Sequence, residues 1–392
     1  MIRHCGRAFL DQRTAKLSIA QQRVLKELAL CRTAALGGHV EECSACAVRQ
    51  IAYNSCRNRH CPKCQASQRA AWFDRHTAHL LPVDYHHVVF TLPPAVAEVA
   101  FQNQPTVYRL LFAAAWQTLR EIAADPKHLG AEIGVTAVLH TWGQTLEYHP
   151  HLHCVASGGG LSPDGRWVST KPGFFLPVKV LSRVFRGKFL AGLTQAFERG
   201  ALSFYGRLSA LADRAAFAAW KKALYRTDWV VYSKPPFGGP AQVLKYLARY
   251  THRVAISNRR LVSLSDGQVT FRYRDYRRGR RLRTMALAGG EFLRRFVLHV
   301  LPPGFVKVRS YGLLANCHRR EKLACCRERL GAAEACGDAA AADEAAVSAV
   351  DDGSQSAPPC PSCGQGRMIR IESMVRPSVA ELLSRPFHFD TS

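Results

Sequence analysis

Three histidines alternate within Tyr148-His149-Pro150-His151-Leu152-His153-Cys154-Val155, and imidazole is the commonest neutral metal ligand. Alternation is the period of a β-strand, so His149, His151 and His153 are expected on one face. Pro150 falls near the start of that strand, where a missing N–H is tolerated. Upstream, residues 135–142 (VTAVLHTW) are rich in β-branched and apolar types and read as a second strand. The link over residues 143–148 is short enough for a hairpin. In such a hairpin His140 lies roughly opposite His151 or His153, close enough to join them around one ion. Most single histidines are ordinary half-buried or surface residues. An i, i+2 pair around an apolar residue, with further histidines on both flanks, is a different pattern. A centre with only histidine ligands leaves positions open to water or substrate, which suits catalysis better than structural support.

A second chemistry belongs to the cysteines. Cys43-x-x-Cys46 and Cys61-x-x-Cys64 are separated by fourteen residues, and each knuckle can present two thiolates to a tetrahedral Zn²⁺. Buried reduced cysteines rarely fall into two such pairs, so Cys43, Cys46, Cys61 and Cys64 are expected to share one structural zinc. Cys56 and His60 leave the ligand choice open, since either could replace a thiolate or support a second ion. Arg57, Arg59, Lys63 and Arg69 give the module a basic face suited to phosphate. Near the other end, Cys360-Pro361-Ser362-Cys363 is a lone knuckle, half a zinc site. Cys317, His318, Cys325 and Cys326 are its candidate partners, unless the pair stays free.

Residues 241–253 (AQVLKYLARYTHR) favour a helix, with Tyr246 and Tyr250 at i, i+4 on one face. Val243, Leu244 and Leu247 form an apolar stripe, so a tyrosine pair of this kind is usually core. Arg249, His252 and Arg253 crowd the same turns. They could hold a phosphate beside a phenolic oxygen, or bias a phenol toward phenolate. Farther on, Arg272-Tyr273-Arg274-Asp275-Tyr276-Arg277-Arg278 interleaves arginines with aromatics, which suits a nucleic-acid backbone with unstacked bases. Cationic charge this dense also calls for a counter-anion.

The elements that must position these groups are legible in outline. Residues 14–36 look helical and end at Gly37-Gly38. Residues 85–92 read as a strand ended by Pro93-Pro94, and residues 95–124 as an amphipathic helix pair. Residues 174–217 carry mostly helical patterns. Residues 259–262 and 269–273 look like paired strands, residues 291–301 a helix, and residues 305–310 a strand. From 331 to 359 the chain turns Ala-, Asp- and Ser-rich, the composition of a disordered linker.

Composition narrows the partner. The chain has 392 residues, enough for two or three domains, and a formal net charge of +25. Such an excess points to a polyanion, foremost nucleic acid. No run of about 18 apolar residues exists to span a membrane, and the N-terminal stretch lacks the apolar core of a signal peptide. The clustered cysteines then read as metal ligands in a reducing cytoplasm.

Together, YNSCRNRHCPKCQ, YHHVVFTLP, LHTWGQTLEYHPHLHCV and YLARYTHRVAISNRRL resemble the two-tyrosine rolling-circle transposases of the insertion sequence 91 type, within the HUH (His-hydrophobic-His) endonuclease superfamily. The resemblance covers roughly residues 10–320. It implies an α+β chain: an N-terminal zinc-binding module, then an HUH nuclease domain with a central antiparallel sheet and flanking helices. The expected division is 1–75 for the zinc-binding domain and 80–325 for the nuclease domain. An acidic Ala-rich linker at 326–359 and a tail with a lone knuckle at 360–392 would follow. His151 and His153 match the HUH pair, and Tyr246 and Tyr250 the tyrosine pair. The motif does not fix the third metal ligand; His140 is the first choice, with Gln144, Glu147 and His149 behind it. Arg249, Arg253, Arg272, Arg274, Arg277 and Arg278 are the expected DNA contacts. The implied activity is nicking and rejoining of single-stranded DNA at element ends through a 5′-phosphotyrosine, with structural Zn²⁺, catalytic Mg²⁺ or Mn²⁺, and a cytoplasmic, nucleoid-associated location. A rolling-circle replication initiator would share the chemistry. A non-catalytic zinc-dependent DNA-binding protein would explain the charge and the knuckles but neither the HUH strand nor the tyrosines.

Overall fold

The computed structural model describes residues 1–64, 79–234, 242, 255–331 and 357–375 of the 392. Its centre is an antiparallel sheet in the order β11-β4-β5-β3-β7. These strands are β3 (Tyr85–Thr91), β4 (Glu132–Trp142), β5 (Tyr148–Leu161), β7 (Val231–Lys234) and β11 (Val308–Gly312). A short β6 (Trp167–Ser169) adds to the far end of β5. β5 continues well past the expected histidine strand because Gly158, Gly159 and Gly160 let three neighbours approach it closely. A Cβ at Gly159 would stand 2.6 Å from the Val168 carbonyl oxygen and 2.7 Å from the Trp167 ring. No side chain larger than hydrogen fits there.

One face of this sheet is packed with helices. Val88, Phe90, Ala137, Leu139, Leu152 and Cys154 meet α3 (Pro94–Gln102), α4 (Gln104–Ala124) and α5 (Val178–Glu198), which contribute Val96, Leu111, Phe112, Phe185 and Phe189 to the same core. α6 (Arg214–Arg226), capped by the Asp213 carboxylate on the Ala216 N–H at 2.8 Å, adds Phe217 and Leu224. Successive strand residues point to opposite faces. The same alternation therefore sends His87, Val89, Val138, His140, His151 and His153 to the other face.

A second core joins segments from both halves of the chain. The expected helix over 14–36 is instead the second of two: α1 (Ile2–Arg13) and α2 (Ile19–Leu30). Ser18 and Gln21 close a reciprocal capping box between them, and that start signal breaks the helical run. Phe9, Leu10, Val24, Leu25 and Leu28 pack with Phe292, Phe296 and Val297 of α7 (Gly289–Val297), and with Val269 and Phe271 of a three-stranded sheet. That sheet has the order β10-β9-β8, built from β8 (Leu261–Ser265), β9 (Gln268–Asp275) and β10 (Arg281–Ala288). The Gln21 side-chain amide donates to the Val297 carbonyl at 2.9 Å, tying α2 to α7. The N-terminal helices thus share their core with residues 255–300.

The third sheet, β12-β1-β2, corrects the reading of the C-terminal tail. β1 (Gly38–Cys43) and β2 (Arg49–Tyr53) form a hairpin, and β12 (Met368–Met374) pairs antiparallel with β1. Met368–Met374 are therefore a strand of the N-terminal sheet, where a tail with a lone knuckle was expected. Position 326, where the linker was expected to begin, lies within α8 (Arg319–Arg329), which buries Leu323 and Cys326. Residues 332–356 lie outside the described residues. No helix among the described residues is long and apolar enough to cross a membrane.

Candidate active site

The β4–β5 hairpin places His140 directly opposite His151, and Val138 opposite His153. One nitrogen from each of His140, His151 and His153 falls within a 4.8 Å cluster. His151 Nε2 and His153 Nε2 are 3.1 Å apart, and the His140 ring centroid lies 4.4 Å from that of His153. His140 is buried, with its ring stacked on Trp142 at 4.3 Å, while His151 and His153 are half-buried. Burial pushes the His151 imidazole down to about 4, and the carbonyl of His149, 2.7 Å from Nδ1, opposes that fall. His153 is driven well below the ordinary range, first by burial and then by His140, His151 and His87. Burial outweighs the His149 carbonyl, so the net effect favours the neutral ring, the form that binds a metal. Three imidazoles leave coordination positions of a divalent ion to be completed by oxygen ligands. The donor set therefore fits a borderline divalent ion such as Zn²⁺ best, the harder Mn²⁺ when oxygen ligands complete its shell, and Mg²⁺ least.

His87 belongs to this cluster and was not singled out from the sequence. Its Nε2 lies 2.8 Å from His153 Nδ1, and the two rings stack with centroids 5.0 Å apart. The signal was the His86-His87 pair in a strand: neighbours point to opposite faces, so one of the two had to face the histidine hairpin. His86 takes the other face, stacked on Phe175 at 4.7 Å. Lys234 lies opposite His87 across β3 and β7.

The hairpin loop is gripped from the second core. Leu146 adopts φ +62° and is fully buried among the residues of that core. Arg295 Nη1 donates to the Thr145 carbonyl at 2.9 Å, and Arg260 Nη2 donates to the Gln144 carbonyl. His299 is buried beneath the loop, with Nε2 3.2 Å from the Leu146 carbonyl oxygen and Nδ1 3.2 Å from the Thr141 hydroxyl. The carbonyl can only accept, so Nε2 carries the proton and Nδ1 accepts from Thr141. The Gln144 side chain accepts from the Arg274 backbone N–H at 3.3 Å. Gln144 is thus turned toward β9, and Glu147 is exposed. The His149 ring lies 5.3 Å from that of His151.

These ties set the arginine-rich hairpin beside the histidine loop. On β9, Val269 and Phe271 face the second core while Arg272 and Arg274 are exposed on the opposite side, paired with Thr284 and Leu282. Tyr273 packs against the core, whereas Tyr276 and Arg278 are exposed at the turn. Tyr246, Tyr250, Arg249 and Arg253 lie outside the described residues, as does the Arg277 side chain.

The cysteines assort differently from the expected set. Cys43 and Cys46 do not meet Cys61 and Cys64. Instead Cys31, Cys56, Cys61 and Cys64 form one group, and Cys43, Cys46, Cys360 and Cys363 another. In the first group Cys31 Sγ is 3.5 Å from the sulfurs of both Cys64 and Cys61, and Cys56 Sγ is 3.6 Å from Cys64. The edges of a ZnS₄ tetrahedron with Zn–S near 2.3 Å measure about 3.8 Å, so the group has the size of a closed zinc site. The reason for the reassortment is the β1–β2 hairpin, which carries the Cys43–Cys46 knuckle at its turn, away from its base. Cys31 caps the end of α2, and Cys56 follows β2, so both sit at that base. Cys31, lacking a CxxC partner, gave no local signal. His60 turns away: its Nε2 accepts the Leu301 N–H at 3.2 Å.

The family described as "Transposase zinc-binding domain" matches residues 1–92, and the family described as "Putative transposase" matches residues 134–322. The chain is 55% identical over 374 residues to "Putative transposase y4qJ" of Sinorhizobium fredii, covering 95% of this chain and 94% of that one. It is 26% identical over 304 residues to "Transposase for insertion sequence element IS801" of Pseudomonas savastanoi pv. phaseolicola, covering 76% and 71%. No solved structure matches the chain.

Proposed function

The chain belongs to the transposases of the insertion sequence 91 type, with an N-terminal zinc-binding domain, and from that premise we propose that it nicks and rejoins single-stranded DNA through a tyrosine nucleophile. The observation that carries the reading is the convergence of His140, His151 and His153 on the face of the central sheet opposite the core that Phe112, Phe185 and Phe189 fill. A divalent ion bound there, Mg²⁺ or Mn²⁺, supplies Lewis-acid polarisation of the scissile phosphate. The chain's own residues do the rest. Arg272, Arg274 and Arg278 neutralise backbone charge on the incoming strand. The grip on Gln144 and Thr145 keeps that track in register with the histidines.

Tyr246 or Tyr250 supplies the nucleophile. A phenol near its ordinary pKa of about 10 is weakly nucleophilic at neutral pH, so it requires the polarised phosphate and nearby cations. Its oxygen forms a bond to phosphorus as the bond to the 3′ oxygen breaks, and that oxygen leaves as a 3′-OH. The resulting 5′-phosphotyrosine conserves one phosphodiester, so a 3′-OH can later reverse the step and rejoin the strand. The other tyrosine, four residues away in the sequence, could take a second strand while the first is loaded.

The test uses labelled single-stranded element ends with Mn²⁺ and denaturing electrophoresis. A covalent adduct that disappears in Tyr246→Phe/Tyr250→Phe, while DNA binding persists, supports the proposal. Full adduct formation by the double variant removes the nucleophile assignment. The same absence of adduct in the unaltered protein, with tight DNA binding, would make it a binding protein instead.

A further inference from the structure

Half of the second cysteine group lies far outside the matched zinc-binding region, at Cys360 and Cys363. We infer that Cys43, Cys46, Cys360 and Cys363 hold a second structural zinc ion, which clasps the C-terminal segment onto the N-terminal hairpin.

The sulfur geometry is that of a four-thiolate site. Cys43 Sγ is 3.7 Å from Cys363 Sγ, and Cys46 Sγ is 3.8 Å from Cys360 Sγ. Both match the tetrahedral edge of about 3.8 Å. All four sulfurs fall within 4.8 Å of one another. The two knuckles also share one backbone design. Ala45 N–H points at Cys43 Sγ and Ser362 N–H at Cys360 Sγ, each at 3.4 Å. Ala47 (φ +53°) donates to the Cys43 carbonyl, and Gly364 (φ +67°) to the Cys360 carbonyl, at 3.1 and 2.9 Å. Backbone N–H groups directed at sulfur stabilise thiolate charge. Two such loops facing each other are what a tetrahedral thiolate site requires.

The surroundings are fitted to this arrangement. Gly366 sits against the knuckle from β1: a Cβ there would collide with Cys43 Sγ and stand 2.8 Å from Ala45. Ser44 N–H donates to the Arg367 carbonyl, and Arg367 N–H to the Ser44 hydroxyl, both at 3.0 Å. These bonds set the two knuckles in a single register.

Hydrophobic burial cannot hold the segment by itself. Among the described residues the core here comprises Cys43, Cys360 and Met368, with Cys363 against it. On the sheet's outer face Ile51, Ile369 and Ile371 stay 55%, 52% and 47% exposed. A three-stranded sheet with so little apolar burial needs a staple. Zinc binding by four thiolates supplies folding free energy directly.

The test is independent of any nuclease activity. Loading the full chain with Co²⁺ under reducing conditions gives a thiolate-to-metal charge-transfer band to which histidine-only sites do not contribute. Cys360→Ser should reduce this band by about half, Cys43→Ser by the same amount, and the double variant no further. A band unaffected by Cys360→Ser overturns the inference, as does a mass showing Cys360 or Cys363 in a disulfide. To guard against misfolded variants, a protease site can be inserted between residues 332 and 356 of the otherwise unaltered chain and cut. The C-terminal fragment should stay bound until a chelator is added. Release without chelator, or retention after zinc is stripped, would each refute the clasp.

Discussion

Nε2 of His87 lies 2.8 Å from Nδ1 of His153, on the side of that ring facing away from His151. If His153 presents Nε2 to an ion, its Nδ1 carries the proton and donates it to His87. The second ring then fixes both the tautomer and the orientation of the first. His87→Ala should weaken Mn²⁺ binding about 10–100-fold, the usual loss for such a partner, with little change in folding. His87→Gln, whose side-chain oxygen can accept the same proton, should recover part of it. Calorimetric titration of Mn²⁺ reads this directly, and equal affinities in all three proteins would remove the role.

His151→Ala and His153→Ala should abolish strand cleavage while leaving single-strand DNA affinity within about a factor of three, because the proposed ion acts on the scissile phosphate and the exposed arginines hold the strand. Fluorescence anisotropy beside the nicking assay separates the two functions. A parallel loss of binding would place the histidines in DNA contact instead.

Cys61→Ser should do more than disturb the N-terminal residues. Structural zinc sites contribute on the order of 10 kcal/mol to folding, and losing one of four thiolates removes several kcal/mol of it. Cys31, Cys56, Cys61 and Cys64 share their core with Phe271, Phe292 and Leu146. The damage should therefore reach the arginine hairpin and the histidine loop. Hydrogen exchange should show lost protection in β9 and α7 as well as in α2. Loss confined to residues before 65 would show that the two regions fold separately.

His299 gives the stability a pH dependence. Burial pushes it down to about 4, against an ordinary value near 6.5. Between these values the unfolded chain binds the proton and the folded one does not, so stability rises with pH through this window. The contribution is complete above about 6.5 and is lost as pH falls toward 4; the displacement corresponds to about 3 kcal/mol. Denaturant melts at pH 7 and pH 4.5 should show a smaller difference for His299→Gln than for the unaltered chain. An identical difference would exclude His299 as a source.

Arg272 and Arg274 are exposed on the outer side of β9, where each can displace one condensed counterion. For single strands each neutralised phosphate contributes roughly 0.7 to the slope of log K against log salt. The double change to Gln should flatten that slope by about 1.4. An unaltered slope would mean that the strand runs elsewhere.

What the sequence determined by itself was everything that depends on local periodicity. The i, i+2 histidines had to share a face because strand residues alternate, and the short link over residues 143–148 had to bring His140 roughly opposite His151 or His153. Each CxxC pair had to present two sulfurs together, since a knuckle is closed by its own backbone. Partnership between distant segments was not legible. Cys43 and Cys46 looked like the mates of Cys61 and Cys64 because they were nearest in the chain, but chain proximity does not set which loops face each other. The β1–β2 hairpin carries one knuckle away from the other, and pairing of β12 with β1 brings a third from the far end. Cys31 and His87 joined their clusters for the same reason. Cys31 has no local spacing that marks it, and the His86-His87 pair does not by itself say which ring meets His153; only the packing of α2 against the second core, and of β3 against β5, brought them within reach of their partners.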